Sequence, residues 1–171
     1  MAEHKACDLL KTQFPEAVRG VAEFRGETTV TVDKGQLRAI MKFLKESEAL
    51  RYDLLVDLAG VDLGSESPRF KVAYLFHSMK FNNRLRIETR VAEGAELETV
   101  SDIWKAADLM EREVYDLFGI KFSNHPDLRR ILLPDDFAGH PLRKDFPVKG
   151  DDFDKPFPVC LEEEQGNQVD A

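Results

Sequence analysis

His125 and His140 stand fifteen residues apart in a proline-rich stretch, with Asp127 and Asp136 nearby, and are the first residues to test as metal ligands. No His-x-x-x-His or His-Glu-x-x-His pattern occurs, so no helix offers two imidazoles on one face at ligand spacing. His77 sits inside an apolar run and reads as a packing or hydrogen-bonding residue. Glu111 and Glu113 are two apart on a helix, pointing about 200° away from each other, so they cannot act as a carboxylate pair. Cys7 and Cys160 lie near opposite ends, and no Cys-x-x-Cys exists to hold zinc or an iron–sulfur cluster. There is no Gly-rich phosphate loop and no Gly-x-Ser-x-Gly elbow. The expectation is a chain with no catalytic residue, metal site or cofactor site of its own.

Composition narrows the class further. The chain has 171 residues, 24 Lys plus Arg against 32 Asp plus Glu, and a net charge of −8. Neutralising phosphates needs positive faces, so that balance argues against a nucleic-acid surface. A 43% apolar fraction with 12 Phe is too hydrophobic for a disordered chain. The longest apolar run, Val72-Ala73-Tyr74-Leu75-Phe76, falls far short of the ~20 residues that cross a bilayer. An early acid and the lack of an apolar h-region predict no secretory signal.

Several elements must position whatever the chain presents. Residues 6–14 suit a short helix ended by Pro15. Residues 21–24 and 28–32 alternate about a turn at Arg25-Gly26-Glu27 and suit a hairpin. Leu37, Ile40, Met41 and Leu44 recur at helical spacing over 36–45. Strands are predicted over 52–58, 70–78 and 84–91, with Asn82-Asn83 turning between the last two. This order is not a βαβ alternation. It predicts an α+β domain: a small mixed or antiparallel sheet with helices on one face, followed by an extended Pro-rich C-terminal segment.

Residues 101–119 predict a helix about 25 Å long, N-capped by Ser101, with Asp102 on the dipole and Gly119 at its C′ position. Ile103, Ala107, Met110, Val114 and Leu117 form its packing stripe. Trp104, Glu111, Tyr115 and Phe118 form a neighbouring stripe. It fits a helix flank tucked under a loop, and it equally fits a face that docks another protein chain. Arg112 and Asp116, four apart, can pair. Beyond the helix, residues 125–147 hold four prolines, which forbid a helix, yet alternate bulky apolar groups with Arg129-Arg130 and Arg143-Lys144. Such a segment must bury its apolar groups on its own domain or on a partner. Residues 150–171 carry seven acids against Lys155 and read as a tail, solvated or laid on a partner. The organisation is therefore 1–120 as an α+β domain, 121–149 as an extended docking segment and 150–171 as the acidic tail.

Three stretches carry a resemblance: Glu111-Arg112-Glu113-Val114-Tyr115-Asp116-Leu117-Phe118-Gly119-Ile120, then His125-Pro126-Asp127-Leu128-Arg129-Arg130-Ile131-Leu132, then Gly139-His140-Pro141-Leu142-Arg143-Lys144-Asp145-Phe146-Pro147. Together they resemble the signature of the thirty-kilodalton subunit family of respiratory complex I, the bacterial NADH:quinone oxidoreductase. The chain stops soon after the signature, so the unfused form is expected.

The resemblance implies a non-catalytic subunit of the peripheral arm of a proton-translocating enzyme, at the cytoplasmic face of the bacterial inner membrane. It implies packing on the large hydrogenase-like quinone-site subunit and on neighbouring cluster-bearing subunits. FMN, iron–sulfur clusters and quinone would belong to those partners, and membrane contact would come only through the complex. Equivalent subunits of membrane-bound energy-converting hydrogenases and other-donor quinone reductases are the alternative. The residues expected at the partner interface are Trp104, Glu111, Arg112, Tyr115, His125, Arg129, Arg130, His140, Arg143, Lys144 and Phe146, with Arg129 and Arg143 buried against the large subunit.

Overall fold

The computed structural model describes residues 2–147 and 149. The acidic tail expected over 150–171, with Cys160, lies outside the described residues. Helix α1 (Ala2–Gln13) precedes a hairpin of β1 (Val18–Phe24) and β2 (Glu27–Val32). A short 3₁₀ turn (Lys34–Gln36) opens helix α2 (Leu37–Glu46), which is followed by β3 (Leu54–Asp62), β4 (Phe70–Ser78) and β5 (Asn83–Val91). Then come β6 (Glu96–Glu98), helix α3 (Ala107–Phe118) and β7 (Lys121–Ser123).

Five strands form one mixed sheet in the order β1-β2-β5-β4-β3. All pairs are antiparallel except β2 with β5, which run parallel because α2 and two further strands intervene. Period-two patterning does the sorting. Val30 of β2, Ile87 of β5 and Tyr74 of β4 lie side by side and are fully buried, and Leu58 opposite Tyr74 is 4% exposed. The same face receives Leu37, Ile40, Met41 and Leu44 of α2 and Ala6 and Leu10 of α1. This is the α+β arrangement with helices on one face. Gly60 of β3 lets α3 approach closely: a Cβ there would meet the Phe118 ring at 2.8 Å.

Several expectations need correction. Strand β3 runs four residues past Leu58, to Asp62, because β4 offers it a full partner; a bulge between Leu55 and Asp57 breaks the alternation that would have signalled its length. The three-residue β6 and β7 pair in parallel and are too short to read from periodicity. Helix α3 begins at Ala107, not beside Ser101. Residues 100–106 instead turn inward, with Val100 carbonyl accepting from the N–H of Ile103 and of Trp104. Ser101 does not cap because its N–H donates to Thr99 Oγ1 (3.1 Å) and its hydroxyl lies 2.9 Å from the same oxygen. The expected Arg112–Asp116 pair does not form either; both side chains reach across to the segment that follows.

Candidate functional site

The C-terminal end of α3 organises the site. The last four carbonyls of a helix have no intrahelical partner. Here Tyr115 carbonyl accepts from Gly119 N–H, and the other three accept from the segment beyond β7. His140 Nδ1–H donates to Asp116 carbonyl (2.7 Å), Leu142 N–H to Leu117 carbonyl (3.1 Å) and Arg143 Nε to Phe118 carbonyl (2.6 Å). His140 and Arg143 are also placed where the helix dipole is negative. Gly119 makes this approach possible. Its φ is +73°, and a Cβ would lie 2.6 Å from the His140 ring. Residues 124–147 thus form a strap bound to their own domain.

Asp116, fully buried, is the strap's central anchor. Its Oδ2 accepts from three successive backbone N–H groups, those of Ile131 (3.1 Å), Leu132 (2.9 Å) and Leu133 (2.9 Å). Its Oδ1 accepts from Arg130 Nη1 at 2.6 Å. Burial pushes the Asp116 carboxyl up, but those donors outweigh it and hold the pKa at about 2. Arg130 Nη2 continues to the carbonyls of Phe137 (2.8 Å) and Gly139 (3.1 Å), tying two parts of the strap together. Arg112 donates to the carbonyls of Arg129 (3.2 Å) and Arg130 (3.0 Å).

Two further anchors hold the ends. At the root, the His125 side chain is fully buried, its Nδ1 accepting from Asp127 N–H and its Nε2 lying 3.1 Å from Asp108 carbonyl. Nε2 is also 3.8 Å from Oε2 of Glu111. Glu111 accepts from the Thr99 hydroxyl (2.5 Å) and Val100 N–H (2.7 Å), and burial raises its pKa to about 7 despite both bonds. At the far end Asp62 accepts from Arg69 (2.8 and 3.1 Å), Gly64 N–H and Lys144 N–H (both 2.8 Å). The Arg69 guanidinium, with these N–H groups, holds the Asp62 carboxyl well below the usual range. Arg69 also pairs with Asp145 and Glu93, and Arg143 pairs with Glu93 while stacking on Phe70.

The expected interface residues therefore divide. Trp104 and Glu111 are corrected: they are 4% and 0% exposed and offer no surface to another chain. Trp104 Nε1 donates to Tyr52 carbonyl, and its ring packs 4.8 Å from Phe76. Arg112, Arg130, His140 and Arg143 bind the strap, His125 roots it, and Tyr115 packs edge-on to His140. Phe146 stacks on Phe137, while Lys144 engages through its backbone and its side chain runs beside Gly64. Arg129 is exposed and, among the described residues, pairs only with Asp127.

Large apolar side chains stand on the strap's outer surface among exposed charges such as Arg129, Asp135 and Asp136: Leu132 is 62% exposed, Leu142 52% and Ile131 39%, with Leu109 of α3 at 57%. Leu142 also borders a groove of about 180 Å³ between Gly60 of β3 and Glu113 and Leu117 of α3. Sequence reasoning missed Asp116 and Asp62 as anchors and these leucines as surface. Asp116 was legible only as a helix-pair partner, and Asp62 lies 82 residues from the N–H that it binds. Among the described residues no cluster of three His, Cys, Asp or Glu is placed to hold a metal, and no helix is long and apolar enough to cross a membrane.

Residues 30–152 match the family model described as respiratory-chain NADH dehydrogenase, 30 Kd subunit. The C subunit of NADH-quinone oxidoreductase from Geobacter sulfurreducens is 49% identical over 155 residues, covering 89% of this chain and 94% of the relative. The solved trypsin-resistant fragment (1–134) of Nqo5 superposes with a TM-score of 0.64 at 29% identity, covering 75% of this chain and all of that one. A chain of a membrane-bound sulfane sulfur reductase, an archaeal respiratory membrane complex, shares the fold with a TM-score of 0.72 at 23% identity over 85% of each chain. The signature that runs from α3 through the strap is thus a folded clasp, and the chain belongs to the respiratory-chain NADH dehydrogenase 30 kDa subunit family.

Proposed function

We propose that this chain is a non-catalytic peripheral-arm subunit of a proton-translocating NADH:quinone oxidoreductase. It packs on the large quinone-site subunit and supports assembly at the cytoplasmic face of the bacterial inner membrane. FMN, iron–sulfur clusters and quinone are held by neighbouring subunits, and membrane contact comes through the complex. The observation that carries this reading is the strap. Its backbone is braced from within the chain, where Asp116 takes the N–H groups of 131–133, while Ile131, Leu132 and Leu142 stand exposed on it. Exposed apolar groups held rigid lose little conformational entropy on docking, which favours a permanent partner.

The test is a gentle-detergent purification of the tagged chain from its native membranes, comparing wild type with Leu132→Asp and Leu142→Asp. Wild type is expected to bring the large subunit, cluster-bearing subunits and an NADH-oxidising flavoprotein. Each variant is expected to lower that recovery at least tenfold while the isolated chain keeps its melting temperature within a few degrees. Full recovery with both variants would refute docking through the strap, and repeated recovery of the chain alone would refute the subunit assignment.

A further inference from the structure

The strap meets the sheet at Asp62, the end of edge strand β3, and at the opposite edge no described residue pairs with the outer side of β1. Among the described residues strand β1 has only β2 as a sheet neighbour, and every residue from Arg19 to Phe24 is exposed. Val21, on the helix-bearing face beside buried Val30, is 40% exposed, and Phe24 is 71% exposed. The β1–β2 turn is a two-residue loop, Arg25-Gly26, with φ of +53° and +79°, closed by the Phe24–Glu27 pair. Counting the antiparallel alternation back from that pair, Phe24, Ala22 and Gly20 bond to β2, and Val21 and Glu23 point their N–H and C=O groups away from the sheet.

Natural edges are blunted by bulges, Pro, Lys or a covering element. The β3 edge is blunted twice, by its bulge at Leu55/Asp57 and by the strap at Asp62. The bulge in β1 is confined to Val18/Gly20, which leaves Gly20–Phe24 in regular register with neither Pro nor Lys. We infer that this outer edge of β1 is a strand-addition site for an extended segment of another protein in the same assembly.

Size argues for a different protein over a second copy of this chain. The strand is about 24 Å long and the sheet about 10 Å thick. Two such edges alone bury much less than the ~1,200 Å² at which specific complexes begin. The added segment must therefore be held by other contacts of its own chain, as happens inside a large complex. The recognising chemistry is an extended strand with an apolar side chain beside Val21 and a basic one beside Glu23, which has no ion pair among the described residues. Four inter-strand spacings, about 19 Å, separate β1 from β3. This surface is therefore additional to the strap, and the inference rests on the proposed membership of a complex.

Amide hydrogen exchange on the intact complex and on the isolated full chain tests it. In the isolated chain the Val21 and Glu23 amides are expected to exchange fast and Ala22 slowly. In the complex Val21 and Glu23 should slow by about 100-fold. Unchanged Val21 and Glu23 exchange, in a complex where the strap amides are protected, overturns strand addition and leaves the subunit assignment intact. Absence of the chain from any complex overturns that assignment first. Protection that appears in the isolated chain as its concentration rises would assign the edge to a second copy and overturn the inference. Val21→Pro removes an outward N–H that β2 does not use. It should leave the isolated chain folded yet lower its recovery in the complex at least tenfold, and undiminished recovery counts against the site.

Discussion

Replacing Glu111 by Gln is expected to stabilise the isolated chain at alkaline pH. The carboxyl is fully buried between α3, the 99–101 turn and the strap root, with Asp108, Asp102, His125, Tyr74 and Arg38 as its ionisable neighbours. Burial raises its pKa from 4.5 to about 7. The native state therefore holds this proton more tightly than the unfolded chain does. The resulting stability is full below pH 4.5 and is lost as pH rises through 7. At about 1.4 kcal/mol per unit, the loss is about 3 kcal/mol. Gln keeps the shape of the protonated acid: its carbonyl can accept from Val100 N–H and its amide can donate to Thr99 Oγ1. Urea unfolding of both proteins at pH 5, 6, 7, 8 and 8.5 measures the difference directly. The curves should nearly coincide at pH 5 and separate until the variant leads by about 3 kcal/mol at pH 8.5, or roughly 6–12 °C in melting temperature. A variant equally destabilised at every pH would show that the ionised carboxylate is the favoured native form and refute the reasoning.

Three other perturbations probe the clasp. Asp116→Ala orphans three N–H groups and the Arg130 guanidinium; unfolding titrations should show a loss of about 3–5 kcal/mol, and limited proteolysis should cut the strap first. In wild type, the low Asp116 pKa supplies stability that is present above pH 3.8 and is lost as pH falls toward 2, about 2 kcal/mol that Asp116→Asn should remove from the acid limb. Gly119→Ala forces an L-residue to φ +73° and a Cβ into the His140 ring, so its melting temperature should fall more than that of Gly20→Ala, where a Cβ meets nothing within 4 Å. Arg143→Glu should destabilise the isolated chain, because its guanidinium binds Phe118 carbonyl and Glu93, whereas Arg129→Glu should leave the melting temperature unchanged and report on assembly alone.

Short-range chemistry accounts for what was legible in the sequence itself. The α2 stripe, the alternation of β4 and β5, the β1–β2 hairpin and Gly119 as the end of α3 are each set by neighbours within a few residues. The stretch from Glu111 to Pro147 was also legible as the mark of a family. What the stretch does in space was decided by tertiary structure. Asp116 binds the N–H groups of 131–133 and Arg130 because a buried carboxylate needs several donors at once, and together they supply four. Trp104 turns inward because the 100–106 turn replaces a helical start, and that turn exists because Glu111 claims Thr99 and Val100. Asp62 meets Lys144 across 82 residues. Pairings of that length follow from which elements share a core and not from periodicity, so types and spacing cannot display them.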